Sequence, residues 1–164
     1  MGALGFYNSG NKYSYKGATP LTDAMFGIRY IISNDEIWAS NLSLCEQTEN
    51  KYIYENQQNL ALGYMVNPGV TQWKIVEGDP FVTQNDFVRM ATDTQGAMFI
   101  PLETGEPQVT DGMLTSTGED KYYYERHGSG GSLTWQLTFT EQQDVYIYFE
   151  ASHCEKLKVT IDGK

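Results

Sequence analysis

Period-two alternation in the last third of this chain is its strongest constraint on fold. Leu133, Trp135, Leu137 and Phe139 alternate with Thr134, Gln136 and Thr138; Val145, Ile147 and Phe149 with Tyr146 and Tyr148; Leu157, Val159 and Ile161 with Lys158 and Thr160. Successive side chains on a strand point to opposite faces, so each run makes one apolar and one polar face. Gly128-Ser129-Gly130-Gly131 and Glu141-Gln142-Gln143 supply turns between the runs. Strands and turns at this spacing predict a jelly-roll-like antiparallel β-sandwich, with Trp135 in phase with its core and therefore buried.

The first hundred residues read differently. Thr19 is placed to cap a helix that Pro20 begins, Asp23 suits its positive end, and Gly27 ends it. Ile28-Arg29-Tyr30-Ile31-Ile32 predicts a strand, residues 36–50 an irregular stretch, and Lys51 to Glu55 a strand joined through Asn56–Asn59 to a second apolar run, Leu60 to Val66. Asn67-Pro68-Gly69 is a turn. Thr83-Gln84-Asn85-Asp86 has the form of a capping box, with Phe87, Met90 and Ala91 at helical spacing, which predicts a helix over 84–92. Pro101, Gly105 and Pro107 mark the change of character. The expected organisation is an α+β part with two short helices over 1–100 and a sandwich part over 101–164, mainly β overall. Asp162-Gly163 signals a hairpin with only Lys164 after it, so the expectation is a longer polypeptide cut at this point.

Charge excludes some partners. The chain of 164 residues carries 11 Lys and Arg against 21 Asp and Glu, a net charge of −10. That is the wrong sign for a nucleic-acid partner or for docking on anionic lipid. Apolar residues make up 40% and aromatics 13%, including 12 Tyr, which is packing material for an ordered domain. No run approaches the roughly 20 apolar residues that span a bilayer. The N-terminus lacks the basic and apolar regions of a signal peptide, and Phe6 stands where a myristoylation motif needs Ser or Thr.

Catalytic and metal signatures are weak. Asp35-Glu36 and Glu119-Asp120 sit beside Asn34 and Gly118 and read as solvated turns rather than the opposed pair of a glycosidase. His127 and His153 have no ligand spacing and read as surface residues. The Gly-rich loop lacks the Lys of a phosphate loop. Cys45 and Cys154 show no Cys-x-x-Cys spacing and read as free, mostly buried thiols, the alternative being a disulfide if the fold brings them together. Asn41-Leu42-Ser43 is a formal glycosylation sequon, read as unused. No catalytic residue, metal ligand or cofactor is expected. The tyrosines Tyr122, Tyr123, Tyr124, Tyr146 and Tyr148 are the candidate binding residues, because aromatic rings stack on sugar faces while their hydroxyls hydrogen-bond. The competing reading is that they cover a sheet face or subdomain interface.

Four segments in order resemble the extracytoplasmic region of the bacterial YfhO family of polytopic membrane proteins, relatives of lipid-carrier-dependent glycosyltransferases of the GT-C type. Thr19 to Ile32 is similar to the family's helix followed by a Gly-Val-Lys-Tyr strand, with Arg29 where Lys is usual. Tyr54-Glu55-Asn56 followed by Leu60-Ala61-Leu62-Gly63 is similar to its Tyr-Glu-Asn and Leu-Pro-Leu-Gly element, with Ala61 in place of Pro. Pro80-Phe81 with Gln84-Asn85 is similar to its Pro-Phe and Gln-Asn element, and the strands up to Val159-Thr160-Ile161-Asp162-Gly163 to the sandwich that follows.

The resemblance implies a location on the outer face of the cell membrane, the parent protein's transmembrane helices as partners, and a role in glycosylating cell-wall polymers such as lipoteichoic acid. It transfers no catalytic residue, since no position matches the GT-C carboxylate motif. The expectation is a non-catalytic module that itself does not insert into the membrane and that contacts cell-wall glycan or teichoic acid. Against it stand a ligand-free structural or interaction domain and a carbohydrate-active enzyme. The net charge favours contact with sugar over contact with a bare polyphosphate chain.

Overall fold

The Thr19 side chain accepts from the backbone N–H of Thr22 and the Thr22 hydroxyl accepts from that of Thr19, a reciprocal capping box that starts α1 (Pro20–Met25). Pro20 occupies the first turn, where its missing N–H costs nothing. Gly27 ends the helix at φ +62°, a left-handed conformation that a side chain strains. These details come from a computed structural model that describes residues 2–9, 12–13, 15–118, 121–128, 130–139, 141–150 and 160.

The chain divides into two compact units: residues 1–98 with 144–164, and residues 99–143. The first unit begins with the 3-10 turn η1 (Gly2–Leu4) and the short strands β1 (Asn8–Ser9) and β2 (Lys12–Tyr13), then α1. A three-stranded antiparallel sheet follows in the order β3 (Tyr30–Ser33), β5 (Tyr52–Asn56), β4 (Leu42–Gln47). Ile31 lies opposite Tyr54 and Tyr54 opposite Leu44, so these three share one face. Ile31 and Tyr54 are buried there, while Leu44 at the edge is half exposed. The 3-10 turn η2 (Pro68–Gln72) and helix α2 (Pro80–Thr92) complete the regular elements of this unit.

The second unit is two antiparallel pairs, β6 (Gln108–Thr110) with β9 (Ser132–Thr134) and β7 (Gly112–Gly118) with β8 (Lys121–Arg126). The described chain is thus mainly strand with two short helices, all strand pairs antiparallel.

Several sequence expectations need correction. Residues 36–50 are not wholly irregular, because Leu42–Gln47 is an edge strand. Its almost uniformly exposed side chains hide it from a search for apolar alternation. Leu60–Val66 is no strand: β5 is already paired on both sides by β3 and β4, so no hairpin partner is needed after Asn59. Helix α2 begins at Pro80 rather than at 84, because Asp79 caps it by accepting from the Val82 N–H at 2.9 Å. Thr83 lies inside the first turn, fully buried.

Of the alternating run 133–139 only Leu133 and Thr134 are strand, as part of β9, and 145–149 contributes none. Alternation creates two faces, but a strand exists only where another backbone satisfies its N–H and C=O groups. Trp135, one residue beyond β9, is 39% exposed rather than buried. The sandwich layers are not among the pairings described. Strand 157–161 (apart from Thr160), the Asp162-Gly163 turn, Glu119-Asp120, His153 and Cys154 lie outside the described residues. Cys45 is exposed on β4, not buried.

Candidate functional site

Polar side chains organise the first unit as much as apolar ones do. Gln84 on α2 is fully buried; its Oε1 accepts from Thr19 Oγ1 at 2.5 Å and its Nε2 donates to the Leu4 carbonyl at 3.2 Å. One amide therefore ties η1, α1 and α2 together. Asn56, also fully buried, donates to the Ile28 carbonyl at 3.0 Å and accepts from Asn41 Nδ2 at 3.2 Å. Among the described residues no buried side-chain N or O lacks a partner. Such satisfied networks rigidify what they surround.

One member of each network, Thr19 and Asn41, lines an open pocket of about 230 Å³. Its polar lining comes from Tyr15, Thr19, Asp23 and Asn41, and its apolar wall from Ile31, Ile37 and Leu42, with Tyr146 closing one side. The Tyr15 hydroxyl donates to Asp23 Oδ1 at 2.5 Å. Burial raises the Asp23 carboxyl above its ordinary value, against the lowering effect of that hydrogen bond. Burial, then the hydrogen bond and charge of Asp23, push the Tyr15 phenol far upward. Burial, then the charges of Asp144 and Asp23, raise Tyr146 to about 12. Near pH 7 both phenols are therefore neutral hydroxyls in an electronegative setting.

A second, smaller cavity of about 70 Å³ shares Gly17, Ala18, Thr19 and Tyr146 with the first and adds Gln84 and Tyr148. Tyr148 is raised by burial and then by the Glu150 charge. The 144–150 segment that carries both tyrosines is held in this unit by Asp144, whose Oδ2 accepts from the Ser40 N–H at 3.0 Å and the Ser40 hydroxyl at 2.5 Å.

The five tyrosines singled out from sequence are divided between the two units. Tyr146 and Tyr148 line cavities of the first unit. Tyr122, Tyr123 and Tyr124 lie on β8 in the second unit, opposite Ser116, Thr115 and Leu114 of β7. Consecutive strand residues face opposite sides, so the triplet splits. Tyr122 and Tyr124 are half-buried on one face, where Tyr122 meets Trp135 at 6.1 Å between centroids and the Tyr124 hydroxyl donates to the Thr110 carbonyl at 3.3 Å. Tyr123 stands 60% exposed on the other face.

Tyr15, Asp23 and Asn41 escaped the sequence reading as a group. Asp23 carried only the signal of a helix-dipole residue, and Asn41 only that of a sequon. Asn41 is 3% exposed with its amide bonded to Asn56, so its side chain has no room to carry a glycan. Asp35 and Glu36 are exposed, as is His127. Among the described residues no three His, Cys, Asp or Glu side chains converge as metal ligands, and no helix is long and apolar enough to cross a membrane.

A family model described as bacterial membrane protein YfhO matches residues 1–164, the whole chain. No curated protein and no solved structure matches.

Proposed function

The chain belongs to the YfhO family of bacterial membrane proteins, and from that premise we propose that it is a non-catalytic, extracytoplasmic glycan-binding module of a glycosyltransferase-like membrane protein. In this reading it presents a sugar unit of a cell-wall polymer such as lipoteichoic acid during glycosylation. One observation carries the reading: the cavity that sets the Tyr15–Asp23 pair and Asn41 against an apolar wall of Ile31, Ile37 and Leu42, with Tyr146 beside them.

A sugar ring has polar hydroxyls on its rim and apolar C–H faces, and this lining offers a partner for each. At about 230 Å³ the cavity is smaller than the roughly 300–1,000 Å³ of drug-sized sites, which suits one sugar unit rather than a length of polymer. Asp23 lines it and Asp144 lies close enough to raise the Tyr146 pKa, so the site disfavours phosphate and favours a neutral sugar.

The test is NMR titration with neutral wall-glycan fragments and, separately, with glycerol-phosphate oligomers. Shifts at Tyr15, Asn41 and Tyr146 with the sugars alone are expected, with binding weakened about tenfold in Asp23→Ala. Silence at all three residues sinks the reading, and so does binding of the phosphate oligomers alone.

A further inference from the structure

We propose that the segment 56–73 is an interfacial anchor that seats this domain on a lipid bilayer through the tip Leu62–Met65. From Asn56 to Trp73 the sequence has eighteen residues without a charge, although the chain carries 11 Lys and Arg and 21 Asp and Glu elsewhere. The same segment holds the most exposed apolar side chains of the described structure: Met65 is 100% exposed and Leu62 96%. Leu60, Tyr64 and Val66 add partly exposed surface beside them.

The segment is held in place. At its start the Gln57 N–H donates to the Asn41 carbonyl at 2.9 Å and Asn59 Nδ2 to the Asn56 carbonyl at 2.9 Å. Further on the Asn67 N–H donates to the Ala91 carbonyl at 2.7 Å, and at its end the Trp73 Nε1–H donates to the Thr83 carbonyl at 2.8 Å. Between them the Tyr64 hydroxyl donates to the Met25 carbonyl at 3.4 Å. Gly27 leaves room for this approach, since a Cβ there would stand 3.3 Å from the Leu60 carbonyl oxygen. Large, fully exposed apolar side chains on a pinned, charge-free segment mark an interaction surface.

The bilayer is the occupant that fits. The chain belongs to a family of membrane proteins, so a bilayer is always at hand. A domain with net charge −10 is repelled by anionic headgroups least where it carries no charge, and this segment is its longest charge-free run. Its backbone is irregular from 60 to 67, so its N–H and C=O groups need the hydrated interface, and the tip enters no deeper than the headgroup–acyl boundary.

Flotation with phosphatidylcholine vesicles at millimolar lipid tests this independently of any glycan. The chain is expected to co-float, and Leu62→Asp with Met65→Asp to reduce the bound fraction at least ~10-fold. Added phosphatidylglycerol should weaken binding and added salt restore it, the reverse of a basic anchor. In Met65→Trp, the introduced indole should be quenched by brominated lipid, a readout that does not depend on the double variant folding. Absence of co-flotation, equal co-flotation of the double variant, or an introduced indole that stays unquenched on floated protein overturns the proposal. Self-association through the tip without co-flotation also overturns it and assigns the surface to a protein.

Discussion

The two units are built from opposite materials. The buried apolar residues of the described structure, Leu4, Phe6, Leu21, Ile31, Tyr54 and Ala91, all belong to residues 1–98, together with the fully buried Thr22, Asn56, Thr83 and Gln84. Residues 99–143 hold no buried residue among those described; their best-packed positions, such as Tyr122, Tyr124, Leu114 and Leu133, are half-buried. Yet the second unit has the more regular alternation and the longer hairpin. Hairpin pairing organises backbone hydrogen bonds, whereas a dry core needs a second layer across the apolar face. In the first unit the buried Gln84 amide ties η1, α1 and α2 together, and Pro20 and Asp23 of α1 share a pocket lining with Ile31 of the sheet.

The largest expected effect tests the buried amides. Gln84→Ala leaves a cavity and strips partners from Thr19 Oγ1 and the Leu4 carbonyl, and should cost the first unit about 3 kcal/mol. Leu114→Ala on half-buried β7 should cost about 1 kcal/mol. Urea unfolding followed by Trp fluorescence reads the first unit through Trp38 and Trp73 in a Trp135→Phe background, and the second through Trp135 in a background with Trp38→Phe and Trp73→Phe; equal losses for the two variants, each read in its own unit, would dissolve the contrast. Next comes Gly17→Ala. Gly17 sits at φ +88°, and a Cβ there would collide with the Gly5 carbonyl oxygen. A loss of about 2 kcal/mol is expected in the same assay.

Asp23 gives a smaller, pH-dependent effect. Its folded pKa is raised by burial, so the folded state holds its proton more tightly than the unfolded chain does. Its contribution is fully present below the ordinary carboxylate value and is lost as pH rises through the raised one. Asp23→Asn keeps an acceptor for the Tyr15 hydroxyl and removes this slope. The variant should unfold at higher urea than the parent at pH 7, with the gap closing as pH falls below the ordinary carboxylate range. An unchanged gap across that range would disconnect Asp23 from the pH response. The smallest effect belongs to Arg29→Ala. Its bond to Glu55 at 3.1 Å is exposed to solvent, so the loss should stay below about 0.5 kcal/mol and shrink with added salt.

Local chemistry made parts of the fold legible. Thr19, Pro20 and Gly27 specify the start and stop of α1 because capping and left-handed backbone involve residues next to one another. The strand at Tyr52–Asn56 follows from its aromatic alternation. Edge strand Leu42–Gln47 was not legible, since its side chains are solvated and only pairing with β5 makes it a strand. The start of α2 is not legible from sequence because two capping patterns compete within a few residues, and Asp79-Pro80 prevails over Thr83. In the candidate site, Tyr146 was legible as an amphipathic aromatic, but its neighbours were not. Tyr15, Asp23, Asn41 and Tyr146 meet across more than a hundred residues of chain, and no spacing rule spans that distance.

Composition, order of motifs and local propensity determined the acidity, the mainly antiparallel character with two short helices, the charge-free segment and the family resemblance that the whole-chain match bears out. Tertiary structure decided which alternating runs become strands, which asparagines and glutamines are buried, and which tyrosines line a cavity. The physical reason is range. Charge, caps and turns act between neighbours, whereas burial and strand pairing depend on a partner that chain order does not name.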